Sequence, residues 1–237
     1  MTIAAADLLP VRSIRESFNP GFAAWDRSVE HGDQAGAKAA RRQMRAAAFA
    51  LLPRAVANFP GWYFFVDLSP GADINGVHYV GVSKTERRPI GRRIVDRFRD
   101  DSCPDTKLDG RTEAEQRCIV ERRLLCALPQ SGGNYIDKHL KVSALIRRST
   151  HILMVGTRDT PRTIEEVERL LIGSAAESGA PLMNARHRSF RGGVSAADGN
   201  RAREVLDCLG LMGLAESALD PWRLQLSACL GRVNGRR

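Results

Sequence analysis

Apolar residues along this chain change their spacing from block to block. Gly61-Trp62-Tyr63-Phe64-Phe65-Val66 is a near-continuous aromatic and β-branched run, and Val77-His78-Tyr79-Val80-Gly81-Val82 is a second. Both have strand composition. Pro70, Gly71, Asp73, Asn75 and Gly76 lie between them, so the pattern predicts a β-hairpin over 61–82. Pro89 suits the first turn of a helix, and Ile90, Ile94 and Phe98 recur on one face as far as about Arg99. His151-Ile152-Leu153-Met154-Val155-Gly156 predicts a buried strand. Asp159-Thr160-Pro161 opens a further helix, where Thr163-x-x-Glu166 has the form of a capping box. It runs to about Ala176 and stops at Gly179 and Pro181.

The flanks have helical composition. Residues 1–57 are expected to be helical, above all Gln34–Val56, with Pro53 kinking or ending the run. Between the hairpin region and the third strand, Asp100–Gly110 is a polar loop. Thr112-x-x-Glu115 then caps a helix to about Leu128, Gly132-Gly133-Asn134 is a turn, and Tyr135–Arg148 is helical. After Gly192-Gly193 a leucine-rich helical tail follows. The expected organisation is a helical extension over 1–58, a core over 59–190 with an insertion at about 100–150, and a tail over 191–237.

The 237 residues suffice for a substantial core. No apolar run reaches the length of a membrane span. The N-terminus lacks a basic start before its short apolar stretch, so a cytoplasmic protein that does not engage membranes is the expectation. The formal charge of +9 favours polyanions, but arginine outnumbers lysine 31 to 5, a bias that base composition alone can produce. Local clustering carries more weight. Lys84, Arg87, Arg88, Arg92, Arg93, Arg97 and Arg99 stand against Glu86 and Asp96 only. Arg186, Arg188, Arg191, Arg201 and Arg203 form a second cluster. Guanidinium groups pair bidentately with phosphate, and the first cluster abuts the tyrosine strands. The five cysteines contain no CxxC pair and the five histidines no HxxxH or HxH, which argues against zinc and disulfides and for buried thiols.

Helix geometry singles out Glu168. At about 100° per residue, Glu168 falls between Ile164 and Ile172 and close to Ala175, nearer the centre of the apolar stripe than Glu165 or Glu166. A carboxylate there needs a cation. That cation is either an arginine of a neighbouring helix or a divalent metal, since magnesium is commonly held by only one or two carboxylates plus water.

Two tyrosine-bearing strands, an arginine helix and then a glutamate helix resemble the GIY-YIG nuclease family, in the order in which its motifs occur. The matching residues are Gly61-Trp62-Tyr63, Tyr79-Val80-Gly81, Arg93 five residues before Phe98, Glu168-Arg169-Leu170-Leu171-Ile172, and Pro181-Leu182-Met183-Asn184. The resemblance spans roughly 61–184, with a bulky Trp62 inside the first motif and an insertion before the third strand. It implies an α+β fold, a small three-stranded antiparallel sheet flanked by helices, and hydrolysis of phosphodiester bonds in DNA with Mg2+ or Mn2+. By the same resemblance Glu168 binds the metal and Arg93 stabilises charge on phosphorus. One of Tyr63 and Tyr79 helps deprotonate the attacking water while the other orients it, and Asn184 fixes local geometry. Lys84, Arg87, Arg88, Arg92 and Arg97 are the expected nucleic-acid contacts. His78 neighbours Tyr79 but points to the opposite strand face unless a bulge re-aims it.

The lack of a recognisable zinc finger or helix-turn-helix favours a self-contained, restriction-type endonuclease acting as a monomer or homodimer. A repair or mobile-element nuclease, and an inactive nucleic-acid-binding module on the same fold, are the alternatives; RNA as the target stays open.

Overall fold

Four strands form one antiparallel sheet in the order β1-β4-β2-β3, with β1 Ile3–Pro10, β2 Gly61–Val66, β3 Val77–Ser83 and β4 His151–Thr157. This is a computed structural model, and it describes residues 3–69, 76–102, 142, 144–180, 182–184 and 195–234. The helices are α1 Val11–Ser17, α2 Asn19–Glu30, α3 Gln34–Ala50, α4 Arg54–Ala57, α5 Ile90–Ser102, α6 Pro161–Glu177, α7 Ala196–Leu211 and α8 Glu216–Asn234. Residues 144–148 are also helical.

The fold is α+β, but the sheet has four strands rather than the expected three. The difference is β1, within a segment expected to be helical. It pairs with β4 from Pro10↔His151 to Ile3↔Thr157, and its residues alternate between half-buried and exposed. Alanine and leucine favour helix locally, but the unpaired edge of β4 offers a full row of backbone hydrogen bonds, and tertiary context overrides propensity. The helical stretch expected over Gln34–Val56 ends at Ala50, and Pro53 separates it from the single turn of α4. α5 continues to Ser102, so Asp100, where the loop was expected to begin, is still helical. The elements expected over 103–141, the cysteines Cys103, Cys118 and Cys126, and Pro181 lie outside the described residues.

The chain forms two compact units: Met1–Val11 with Pro53–Arg93 and Leu145–Arg237, and Arg12–Leu52 with Ile94–Ala144. In the first, alternation along the strands sends Trp62, Phe64, Val80, Val82, Leu153 and Val155 to one sheet face. There they pack with Ile164, Val167 and Leu171 of α6 and with α7 and α8. Trp62 Nε1 donates to the Ile164 carbonyl at 3.1 Å, tying that face to α6. Trp222 of α8 donates to the Leu171 carbonyl at 3.0 Å and to Ser174 Oγ at 2.8 Å. The tail after residue 194 is therefore a wall of this core. Arg201 of α7 pairs with Asp159, at 2.8 Å from Nε to Oδ2, and with Glu204.

In the second unit α2 and α3 form a helical hairpin burying Trp25, Val29, Ala40 and Met44. Asp33 caps α3 by accepting from the Gly36 amide. Asp96 of α5 accepts from Arg45 at 2.8 Å and Arg99 at 3.3 Å.

Candidate functional site

The two glycines of the tyrosine motifs have immediate packing reasons. Gly61 adopts φ +144°, and a Cβ on it would lie 2.1 Å from the Val155 carbonyl oxygen. Gly81 sits directly opposite Tyr63 in the β2–β3 register. A Cβ on Gly81 would lie 2.3 Å from Tyr63 Cζ and 2.5 Å from its hydroxyl oxygen. The Tyr63 side chain thus lies across Gly81, carrying its hydroxyl from β2 towards the outer side of the edge strand. Tyr63, Phe65 and Tyr79 form one aromatic group with ring centroids 6.2–6.3 Å apart. Tyr63 is 1% exposed, and Tyr79 is more open to solvent. By alternation this group lies on the sheet face opposite the one α6 covers.

On the α6 side, Glu168 is half-buried and its carboxyl is pushed up to about 7. Burial is the main cause, and Lys84 and Arg93 partly oppose it by favouring the charged form. Glu168, Lys84 and Arg93 therefore belong to one electrostatic group. Arg93 comes from the first turn of α5, whose start is set by the Ile90 amide donating to the Phe59 carbonyl at 3.0 Å. Lys84 follows β3 directly, and its ammonium is hydrogen-bonded to Glu165, one turn before Glu168 on α6. Both partners of that pair remain roughly half exposed, at 44% and 52%. The cap of α6 is Thr160, whose side chain accepts from the Thr163 amide. The capping pattern thus begins three residues earlier than Thr163-x-x-Glu166 suggested, and Glu166 pairs with Arg169 instead.

Lys84 leads into a tight turn. Thr85 and Arg88 form a β-bridge, the Arg88 amide donates to the Thr85 carbonyl at 3.1 Å, and Ser83 Oγ donates to the Arg88 carbonyl. Arg87 and Arg88 on this turn and Arg92 on α5 are exposed, and no carboxylate of the described residues pairs with them. Arg12, Arg45, Arg169, Arg201 and Arg223 each have a carboxylate partner. Arg97 lies one turn beyond Arg93, in the part of α5 that belongs to the second unit. In the second arginine cluster, Arg201 is committed to Asp159 and Glu204, and Arg203 bonds Asn200. Arg186, Arg188 and Arg191 lie outside the described residues.

Asn184 is buried against the outer edge of β3. Its Oδ1 accepts from the Val80 amide at 3.0 Å and its Nδ2 donates to the Val80 carbonyl at 2.8 Å. The Met183 amide donates to the His78 carbonyl at 2.7 Å. This short segment closes part of a strand edge that would otherwise be unpaired. The β2–β3 register shifts between Phe65 and Val66, which leaves His78 as an extra residue on β3. His78 takes Asp67 and Arg148 as electrostatic neighbours; burial is the main cause of its lowered pKa.

Two residues were not singled out from the sequence: Glu165, the partner of Lys84, and Arg162, one turn earlier, a cation without a carboxylate partner among the described residues. The three-residue spacing of Arg162, Glu165 and Glu168 was the available signal. Among the described residues no group of three or more His, Cys, Asp or Glu side chains gathers as a metal cage. Glu168 is the acidic donor that would be offered to a metal here, which fits magnesium, an ion that keeps several waters and takes few protein ligands. Comparison with family models, curated proteins and solved structures finds no match. No helix of the described residues is long and apolar enough to cross a membrane.

Proposed function

We propose that this chain is a metal-dependent endonuclease that hydrolyses phosphodiester bonds in DNA, with Glu168, Arg93 and Lys84 at its centre. The observation that carries this reading is the grouping of a destabilised carboxylate with two cations, beside Arg87, Arg88 and Arg92, which no described carboxylate neutralises. Exposed, uncompensated guanidinium groups on a pinned turn are suited to phosphate rather than to holding the fold together. The order of the motifs, which resembles GIY-YIG nucleases, supplies the reaction class.

Glu168 would hold a Mg2+ or Mn2+ ion, which when bound polarises a phosphoryl oxygen. Arg93 would sit against the equatorial oxygens and stabilise the added negative charge of the transition state. Lys84 would exchange its contact with Glu165 for a phosphate oxygen. Tyr79, the more open of the two tyrosines, would exchange a proton with the attacking water only where the substrate reaches around the edge of β3, because its ring lies on the sheet face opposite α6. Tyr63, packed against it and lying across Gly81, would hold it in position. Asn184 acts on β3, not on the substrate, by holding Val80 next to Tyr79. A restriction-type role fits a nuclease whose own flanking elements supply specificity.

The test is incubation of supercoiled plasmid and a panel of branched and linear duplexes and RNA with Mg2+. Strand cleavage that disappears in Glu168→Ala and in Arg93→Ala is the expected result. Tight binding across the panel without cleavage by the parent protein would sink the reading and leave a binding module.

A further inference from the structure

Arg162, Glu165 and Glu168 are spaced by three along α6 and form a slanted stripe, each member turned about 60° from the last, that leads from the exposed Arg162 through Glu165 to the half-buried Glu168. Lys84 bonds the middle member of that stripe, and Lys84 and Arg93 both act on its last member. Arg162 is exposed and takes no carboxylate partner among the described residues. Arg158, also exposed and without a described partner, precedes the cap of the same helix. The sheet register places this end of α6 beside the arginine turn. Gly156 pairs with Gly61, and Gly61 with Ser83, so the residues following Gly156 and Ser83 emerge from one end of the sheet. Arg162 adds positive charge to the positive end of a helix dipole, which is unfavourable for the helix itself.

We infer that Arg162, flanked by Arg158, is a second phosphate anchor for the nucleic acid bound at Glu168. Six helical steps separate Arg162 from Glu168, a rise of ~9 Å along the axis. At that separation Arg162 and Glu168 would hold different phosphates of one strand. The strand then runs along the α6 stripe, with the Lys84–Glu165 pair between its two contacts. This assignment rests on the nuclease reading above, and it adds which way the substrate lies and which residues hold it away from the reacting bond.

The measurement is the salt dependence of binding to a fluorescein-labelled duplex, followed by anisotropy, for the parent, Arg158→Ala/Arg162→Ala, Lys84→Ala and the control Arg203→Ala. Each lost phosphate contact lowers the slope of log K against log salt by about 0.9. The double variant should therefore lose about 1.8 units of slope and bind the duplex several-fold more weakly, while Arg203→Ala follows the parent. Arg158→Lys/Arg162→Lys should keep most of the slope. A double variant whose slope and affinity match the parent, with Lys84→Ala still reducing both, overturns the second anchor alone. A parent protein with no salt-dependent affinity for duplex or single strands overturns the anchor and the nuclease reading together. Circular dichroism of the double variant should match the parent, so weaker binding accompanied by lost helix would also count against the anchor.

Discussion

Asn184 does for Val80 what a neighbouring strand would do: one side-chain amide satisfies both the N–H and the C=O of a buried edge residue, at 3.0 and 2.8 Å. Replacing Asn184 by alanine leaves both Val80 groups without partners in a dry environment. Each buried unsatisfied group costs about 1–3 kcal/mol. Asn184→Ala should thus destabilise the first unit by about 2–4 kcal/mol in urea unfolding, with the midpoint shifted and the slope unchanged. Asn184→Asp keeps an acceptor and, once protonated at acidic pH, an O–H donor, and should fall between the parent and alanine there; ionised at higher pH it loses the donor and should move towards alanine. An alanine variant as stable as the parent would mean that the 182–184 segment does not hold this edge.

Gly81 should not tolerate a methyl group. The added carbon would meet the ring and hydroxyl of Tyr63, which is confined by Phe65 and Tyr79 and has little room to withdraw. Overpacking of this kind costs about 1–3 kcal/mol. Gly81→Ala should show that loss in thermal or urea melts, and most of the extra loss should vanish in a Tyr63→Ala background. Additive losses in the double variant would show that the ring and the glycine do not share the space.

How far the chain could be understood before its fold was known follows from where the information is local. The hairpin, β4 and α6 announce themselves through β-branched runs, turn residues and a Thr-Pro helix start, all written within a few residues. Glu168 was legible because its position within an apolar stripe is a property of one helix. β1 was not legible, because Ile3-Ala-Ala-Ala-Asp-Leu-Leu has the composition of a helix and becomes a strand only when β4 lies beside it. The Lys84–Glu165 contact joins residues far apart in sequence, and no periodicity connects them. Trp222 likewise gives no local hint that its indole reaches Leu171 and Ser174. The role of the tail had to come from tertiary packing.

That packing makes the tail indispensable. Leu206, Leu209, Leu219, Trp222 and Leu226 are buried in the same core as Trp62, Phe64 and Leu171. A chain ending at residue 194 would expose that apolar face of α6 and the sheet. It should be insoluble or lack a cooperative melt. Within the full chain, Trp222→Ala should cost about 3–5 kcal/mol, and Trp222→Phe about 1–2 kcal/mol, chiefly for the lost indole donor. A soluble truncated chain with a sharp unfolding transition would contradict this.

Glu168 links stability, pH and metal in a way that can be read without a substrate. Its carboxyl is raised from 4.5 when unfolded to about 7 in the fold, first by burial, with Lys84 and Arg93 pulling the other way. Below 4.5 both states hold the proton and Glu168 imposes no penalty. As pH rises from there to about 7 the unfolded chain releases its proton first, so stability declines, and above about 7 the loss is complete. At ~1.4 kcal/mol per unit, the full loss is about 3 kcal/mol. Glu168→Gln should therefore be more stable than the parent at alkaline pH by up to that amount, with the advantage fading towards acid, while showing no cleavage. A metal must displace the same proton, so the apparent Mg2+ affinity of the parent should fall about tenfold per unit as pH drops below about 7. Thermal shifts with and without MgCl2 at about pH 6 and about pH 8 should show stabilisation of the parent mainly at the higher pH and none of Glu168→Gln. Equal Mg2+ stabilisation of both proteins would remove Glu168 as the metal ligand.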